Sequence, residues 1–415
     1  MEKEQIEKAL RGYYRTGCFH IYLAGYFDPD LTKLSLADLG TFLHEYVHFL
    51  QNISTPYGIF EAVALNEAAV EAFMDLEPKK ELELPYNAPQ SQMLKERLEW
   101  LYDMDGQPVK KSDEYIEIDE AKNILWGYMD RPNSNRVGYM VALEFYDKHG
   151  QTRHRLIGAR DIKEAMAAAY QSLIDPDANH PDIPYNLLRM FCKQTFPTVG
   201  NDVKKFICLC YTSLFSLAPG YHFIYLCHKA EEEKDKTGFQ FFDEYLEDHN
   251  VFVDGKQMSV RDHFNGMLEQ YSQSIKGLIR CEMPYINSLL ERVRLENGNV
   301  PILNVLNTES PFSVEHVQAL VQVLGIPYMY AKNKGWFFPA MDGEGASDVI
   351  KLVGTTWLYQ FLINTNPVQK CICPLVTMCS QGRDHCYDQP WLEHNCAFEL
   401  MGDEIGLKEK RVIVK

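Results

Sequence analysis

The sequence predicts an α+β protein, mainly helical, and three observations carry that expectation. Leu36, Leu39, Leu43, Val47 and Leu50 recur at helical spacing, and the stretch from Pro184 to about Glu296 is patterned mainly as helix. Asp147-Lys148-His149-Gly150 separates two runs rich in branched and aromatic residues, 137–146 and 152–157, as a hairpin turn does. Lys332-Asn333-Lys334-Gly335, between 328–331 and 336–338, suggests a second, smaller hairpin.

Taken in order, residues 1–16 read as a short charged helix. The aromatic and branched run from Phe19 to Phe27 reads as an edge strand. Ser35-Leu36-Ala37-Asp38 has the shape of a capping box and opens the first long helix. Thr55-Pro56-Tyr57-Gly58 stops that helix and starts another, which runs to about Leu76. Residues 77–135 are more polar and mixed, with a helix expected from Gln90 to Tyr102. Asp161 can cap an alanine-rich helix from Ile162 to about Ile174. The run from Phe206 to Cys227 carries no charge but is broken by Ala218-Pro219-Gly220, so two buried elements around a turn fit it better than a membrane span. Three regions are expected: 1–175, a helical 176–330, and a small cysteine-rich 331–415.

Composition narrows the function. With 46% hydrophobic and 12% aromatic residues the chain can bury a large core, which disordered chains cannot. A net charge of −17, with only short basic pairs such as Lys204-Lys205, speaks against nucleic acid as a partner. The opening Met-Glu-Lys-Glu-Gln-Ile-Glu-Lys lacks the apolar stretch of a secretory signal, so the eleven cysteines read as reduced thiols or metal ligands in a cytoplasmic protein. Phosphate loops, nucleophile elbows and dinucleotide fingerprints are all missing.

The chemistry concentrates in His44-Glu45-Tyr46-Val47-His48. Histidines four apart share one helix face and can grip one divalent ion, while Glu45, next to the first ligand, can reach a water on that ion as general base. Thr41 and Gln51 share the histidine face. The arrangement resembles the zincin metallopeptidases, which implies Zn2+, a protein or peptide substrate, and a catalytic core with a small sheet in residues 1–175. The extended H-E-x-x-H-x-x-G-x-x-H form is excluded, because Gln51 and Ser54 stand where Gly and His would be needed.

A glutamate from a later helix is then the third ligand, with two candidates. Glu67, in Leu65-Asn66-Glu67-Ala68, resembles the downstream Asn-Glu pair of the glutamate-zincins (gluzincins), and it interrupts the apolar residues Phe60, Val63, Val70 and Met74. Glu71, one turn on, could then hold a ligand histidine. Glu164, in Glu164-Ala165-Met166-Ala167, opens a helix whose small neighbours allow close approach, a context that several zincin families use. One of the two is expected in the site. Tyr57, Tyr185, His222 and Arg160 are candidate donors to a developing oxyanion. In the tail, Cys371, Cys373, Cys379, Cys386 and Cys396 read as buried thiols, with a second structural metal at the first four as the alternative. The competing reading of the whole chain is a non-catalytic, metal-stabilised binding or regulatory module.

Overall fold

The computed structural model of the protein describes residues 12–17, 19–130, 137–253, 255–295, 300–308, 310–331, 335–337, 344–363, 402–403 and 405–414. Strands β1 (Gly12–Arg15) and β2 (His20–Leu23) pair antiparallel, and the Tyr13 and Tyr22 rings stack at 4.9 Å across the pair. Residues 1–11 of the helix expected over 1–16 lie outside the described residues, and at 12–15 that helix is replaced by strand, where aromatic side chains gain cross-strand partners that a short isolated helix would not supply. The strand expected over Phe19–Phe27 is limited to β2, and β2 is internal to its sheet; β1 forms the edge.

The two helices that follow match the sequence closely. In α1 (Leu36–Ser54) the Ser35 hydroxyl accepts the Asp38 N–H at 3.1 Å. In α2 (Pro56–Leu76) Thr55 does the same for Gly58 at 3.1 Å. A Cβ on Gly58 would lie 2.3 Å from the Gln51 carbonyl, so glycine is what lets the second helix start this close to the first. Strand β3 (Glu81–Leu84) and helix α3 (Gln92–Met104) come next.

The hairpin around 147–150 gains a third strand. β4 (Ile118–Asp130) pairs with β5 (Val137–Asp147), which pairs with β6 (Thr152–Ile157). The sequence hid β4 because register shifts at Ile118/Glu120 and Ala121/Asn123 break the alternation that marks a strand. Helix α4 (Ala159–Ile174) leaves β6 directly and packs along α1. It begins three residues before the expected start, with Asp161 inside its first turn accepting the Gly158 N–H at 3.4 Å. The buried Arg155 guanidinium donates to the equally buried Asp161 at 2.6 Å and to the Gln107 carbonyl at 2.8 Å. Gly158 also lies against Gly106: a Cβ on either would come within 2.6 Å of the other's backbone nitrogen. That crossing brings the loop after α3, with Asp105, beside the start of α4.

Helices α5 (Leu187–Thr195), α6 (Val203–Ser213) and α7 (Pro219–Glu232) follow, and the uncharged run falls into α6, a turn and α7 as expected. No helix among the described residues is long and apolar enough to cross a membrane. After α8 (Gly238–Asp248), a small hairpin of β7 (Asn250–Val253) and β8 (Lys256–Ser259) precedes α9 (Val260–Ile279), which packs on α2. Then come α10 (Pro284–Arg292), α11 (Val314–Leu324), the expected hairpin β9 (Tyr328–Ala331) and β10 (Gly335–Phe337), α12 (Glu344–Ile363) and β11 (Arg411–Val414). β9 runs parallel to β2, giving the order β1-β2-β9-β10, and β11 runs parallel to β3. Distant parts of the chain thus share sheets, and one apolar core runs from Phe19 to Leu407. The architecture is mainly helical α+β with small sheets.

Candidate metal centre

Helix α1 presents His44 and His48 one turn apart, and α4 crosses it so that Glu164 meets both. His48 Nε2 lies 3.2 Å from His44 Nε2 and 3.2 Å from Glu164 Oε2, and His44 Nε2 lies 3.4 Å from the same oxygen. For a tetrahedral ion with bonds of about 2.0–2.1 Å, neighbouring ligand atoms stand about 3.3–3.4 Å apart. The triangle therefore has the edge lengths that such an ion requires.

The hydrogen bonding around His48 is compatible with such an ion. His48 Nδ1 lies 2.9 Å from Gln51 Oε1, and the Gln51 amide is oriented because its Nε2 donates to the Lys163 carbonyl at 3.0 Å. A neutral His48 with its proton on Nδ1 turns the Nε2 lone pair to the same point as His44 Nε2 and Glu164 Oε2, a donor set that a divalent cation can satisfy. Burial by itself lowers the His48 pKa, but the Glu164 carboxylate, with Glu45 and Gln51 adding to it, more than offsets this and raises it. Burial likewise disfavours charge on Glu164, yet the imidazoles of His48 and His44 pull its pKa far below the usual carboxylate range. Among the described residues, His44, His48 and Glu164 are the group of ligand atoms close enough to hold one metal ion.

Glu45 is buried beside this group. Burial raises its pKa, opposed by His44 and His48 and, least, by the backbone N–H of Tyr14, which donates to its carboxylate from the sheet edge. β1 approaches so closely that a Cβ on Gly12 would lie 2.9 Å from Glu45 Cγ and 3.0 Å from its Oε1. Tyr14 in turn ties β1 to α1, its hydroxyl donating to Asn52 at 2.7 Å.

The other glutamate is elsewhere. Glu67 pairs with Arg97 of α3, whose guanidinium also covers the Phe60 ring at 5.3 Å. On this face of α2 Phe60 meets Trp100 of α3, Val70 is half-buried and Met74 is exposed, whereas the alanines at 62, 69 and 72 are the buried side. Glu67 therefore does not reach the histidines, and Asn66 donates to Ser274 on α9 at 3.0 Å. Glu71 accepts the Ser91 N–H at 2.8 Å at the start of α3 instead of holding a histidine. The resemblance to a downstream Asn-Glu pair is thus one of sequence and not of position.

Two adjoining cavities, of about 350 and 910 Å3, open from the centre, and both are lined by Gly12, His44, Glu45, Arg160, Glu164 and Tyr185. The Tyr185 ring sits 5.7 Å from that of His44 and stacks on His180 at 4.8 Å. Burial, then the charges of Glu164 and Glu45, push its hydroxyl well above the ordinary phenol range, so it keeps its proton. Of the other candidate donors, Tyr57 donates to the Leu101 carbonyl at 3.3 Å, and His222 packs against Tyr245 on α8; neither lines the cavities. Thr41 lines the larger cavity. The smaller one is closed on one side by two ion pairs, Lys163 with Glu61 at 3.0 Å and Arg160 with Asp105. Glu61, Asp105, Lys163 and His180 carry no sequence signal that separates them from surface residues. Cys208 and Cys210 are buried, while the tail cysteines 371, 373, 379, 386 and 396 lie outside the described residues.

Comparison with family models, with curated proteins and with solved structures found no match.

Proposed function

We propose that the protein is a zinc-dependent metallopeptidase, with His44, His48 and Glu164 as ligands and Glu45 as the general base. The observation that carries this reading is the near-equilateral triangle of ligand atoms, 3.2 to 3.4 Å on a side, with a buried carboxylate beside it and a cavity in front. When bound there, a zinc ion supplies Lewis acidity, making a water acidic and a substrate carbonyl more electrophilic.

The chain's own groups supply the remainder. Glu45, held by the Tyr14 N–H against the sheet edge, can take a proton at its carboxylate and return it to a leaving amine. Tyr185, protonated and facing the same cavities, can donate to negative charge developing on the carbonyl oxygen. Gln51 keeps His48 in the tautomer that binds metal. A closed structural site would call for a fourth protein ligand, and three gather among the described residues.

Elemental analysis together with a peptide-cleavage screen tests the proposal. The wild-type protein should carry about one zinc per chain. Glu45→Gln should keep the metal and lose cleavage of any peptide the wild type cuts. Cleavage that survives in Glu45→Gln, or a protein that binds no divalent metal, would overturn it.

A further inference from the structure

We infer that the larger cavity is a subsite for an acidic residue of the substrate, with Arg160 as the group that receives its carboxylate; this rests on the peptidase reading above. Arg160 and Glu164 are four apart on α4, so the guanidinium is carried one helical turn from the ligand carboxylate on the same face. It lines both cavities. Among the described residues its side chain has a single hydrogen-bond partner, Asp105, reached from one Nη2. A guanidinium has five N–H donors in a planar fork, so most of its hydrogen-bonding capacity faces open space next to the reaction centre.

The surrounding charge is less acidic than that of the protein. The chain has 58 acidic against 41 basic residues, whereas the larger cavity sets Arg160, Lys110 and Lys111 against Glu45, Glu114 and Glu164. Lys110 and Lys111 are exposed at the rim, and neither is ion-paired among the described residues. On this side of an acidic protein, Lys110, Lys111 and the spare donors of Arg160 can draw an anionic group inward. Lys163, the other cation at the centre, is held by Glu61 and lines only the smaller cavity. The two cavities thus differ in charge: acidic side chains outnumber basic ones four to two along the smaller, and the two kinds are equal along the larger.

The test uses capped octapeptides in matched sets, identical except for Glu, Gln or Lys at one position scanned along the peptide. Binding to zinc-loaded Glu45→Gln protein is measured by calorimetry, and cleavage by the wild type in parallel. At one position Glu should bind at least about tenfold more tightly than Gln, and Lys more weakly than either. Arg160→Gln should reduce the Glu-over-Gln ratio to near one while leaving zinc content unchanged. Should that variant fold poorly, Lys110→Ala with Lys111→Ala on the surface should lower the ratio and its dependence on salt. Asp105→Asn, which releases Arg160 from its partner, should raise it. Peptides bound or cut with no charge preference, or a preference that survives in Arg160→Gln, would overturn the acidic subsite and leave the peptidase reading standing. Zinc-loaded protein that binds none of the peptides would overturn both.

Discussion

The His48 imidazole and the Gln51 amide, three residues apart on α1, are joined at 2.9 Å, and the same amide reaches across to the Lys163 carbonyl at 3.0 Å. Gln51 therefore links the ligand helix to the helix that brings Glu164. Replacing it with leucine removes the partner that fixes the His48 tautomer and the tie between the two helices. Zinc affinity should fall by about 10–100-fold, measured by competition with a chelator of known affinity. Unchanged affinity would mean that the ring is oriented by something else.

Metal analysis of the two glutamates separates the rival ligand sets. Glu164→Ala should lose more than the roughly 100-fold expected of a supporting partner, because a direct ligand is gone. Glu67→Ala should keep its zinc and lose at most about 1 kcal/mol of stability, since its partner Arg97 lies in a partly exposed pair. The opposite result would return the third-ligand role to Glu67.

Gly12 supports the base by its lack of a side chain. Gly12→Ala places a methyl within 3.0 Å of both the Glu45 side chain and the Tyr22 carbonyl, so the carboxylate must shift. A displacement of this kind should reduce kcat by about 100-fold while zinc content stays at the wild-type level. Full activity in that variant would show that Glu45 does not depend on the edge strand.

Acid should destabilise the fold through two buried histidines. Burial, with Arg15 adding to it, lowers the His20 pKa to about 3; burial, with His249 adding to it, lowers that of His222 to about 4. Both are neutral in the folded protein but protonate near 6.5 when unfolded, so the unfolded chain binds more protons below that pH. Stability is therefore complete above pH 6.5 and declines as pH falls towards 4. Each histidine contributes about 1.4 kcal/mol per pH unit in that window. Urea unfolding at pH 7 and pH 5 measures the slope, and His20→Phe should reduce it by about half. A slope unaffected by His20→Phe and His222→Phe would refute the assignment.

The Arg155–Asp161 pair anchors the start of α4 in the interior. Asp161→Ala strands a buried guanidinium and should cost about 3–5 kcal/mol by chemical denaturation. Arg155→Met combined with Asp161→Leu should recover a large part of that loss, because no uncompensated charge remains. Equal loss in the single and double variants would point to backbone damage at the Gly158 turn.

Much of the centre was readable from residue order. Two histidines at i and i+4 on a strongly periodic helix fix their own relative placement, because a helix has no other way to arrange them. Ser35 and Thr55 mark the helix starts by the same local logic, and both form as expected. Asp147 to Gly150 marks a turn because four residues suffice to encode it. β4 was not readable, since its register shifts erase the alternation on which recognition depends.

The choice between Glu67 and Glu164 could come only from tertiary packing. Each sits on a helix beside small residues, so their local sequences are equivalent for this purpose. What separates them is the packing of α4 along α1, while α2 turns its alanine face inward and Glu67 towards Arg97. Gly12, Asp105 and Arg160 likewise reach the centre through strand pairing and the Gly106–Gly158 crossing. Local spacing determines what lies within one turn of helix. Groups more than a hundred residues apart meet through the summed burial of a core that no short stretch of chain encodes.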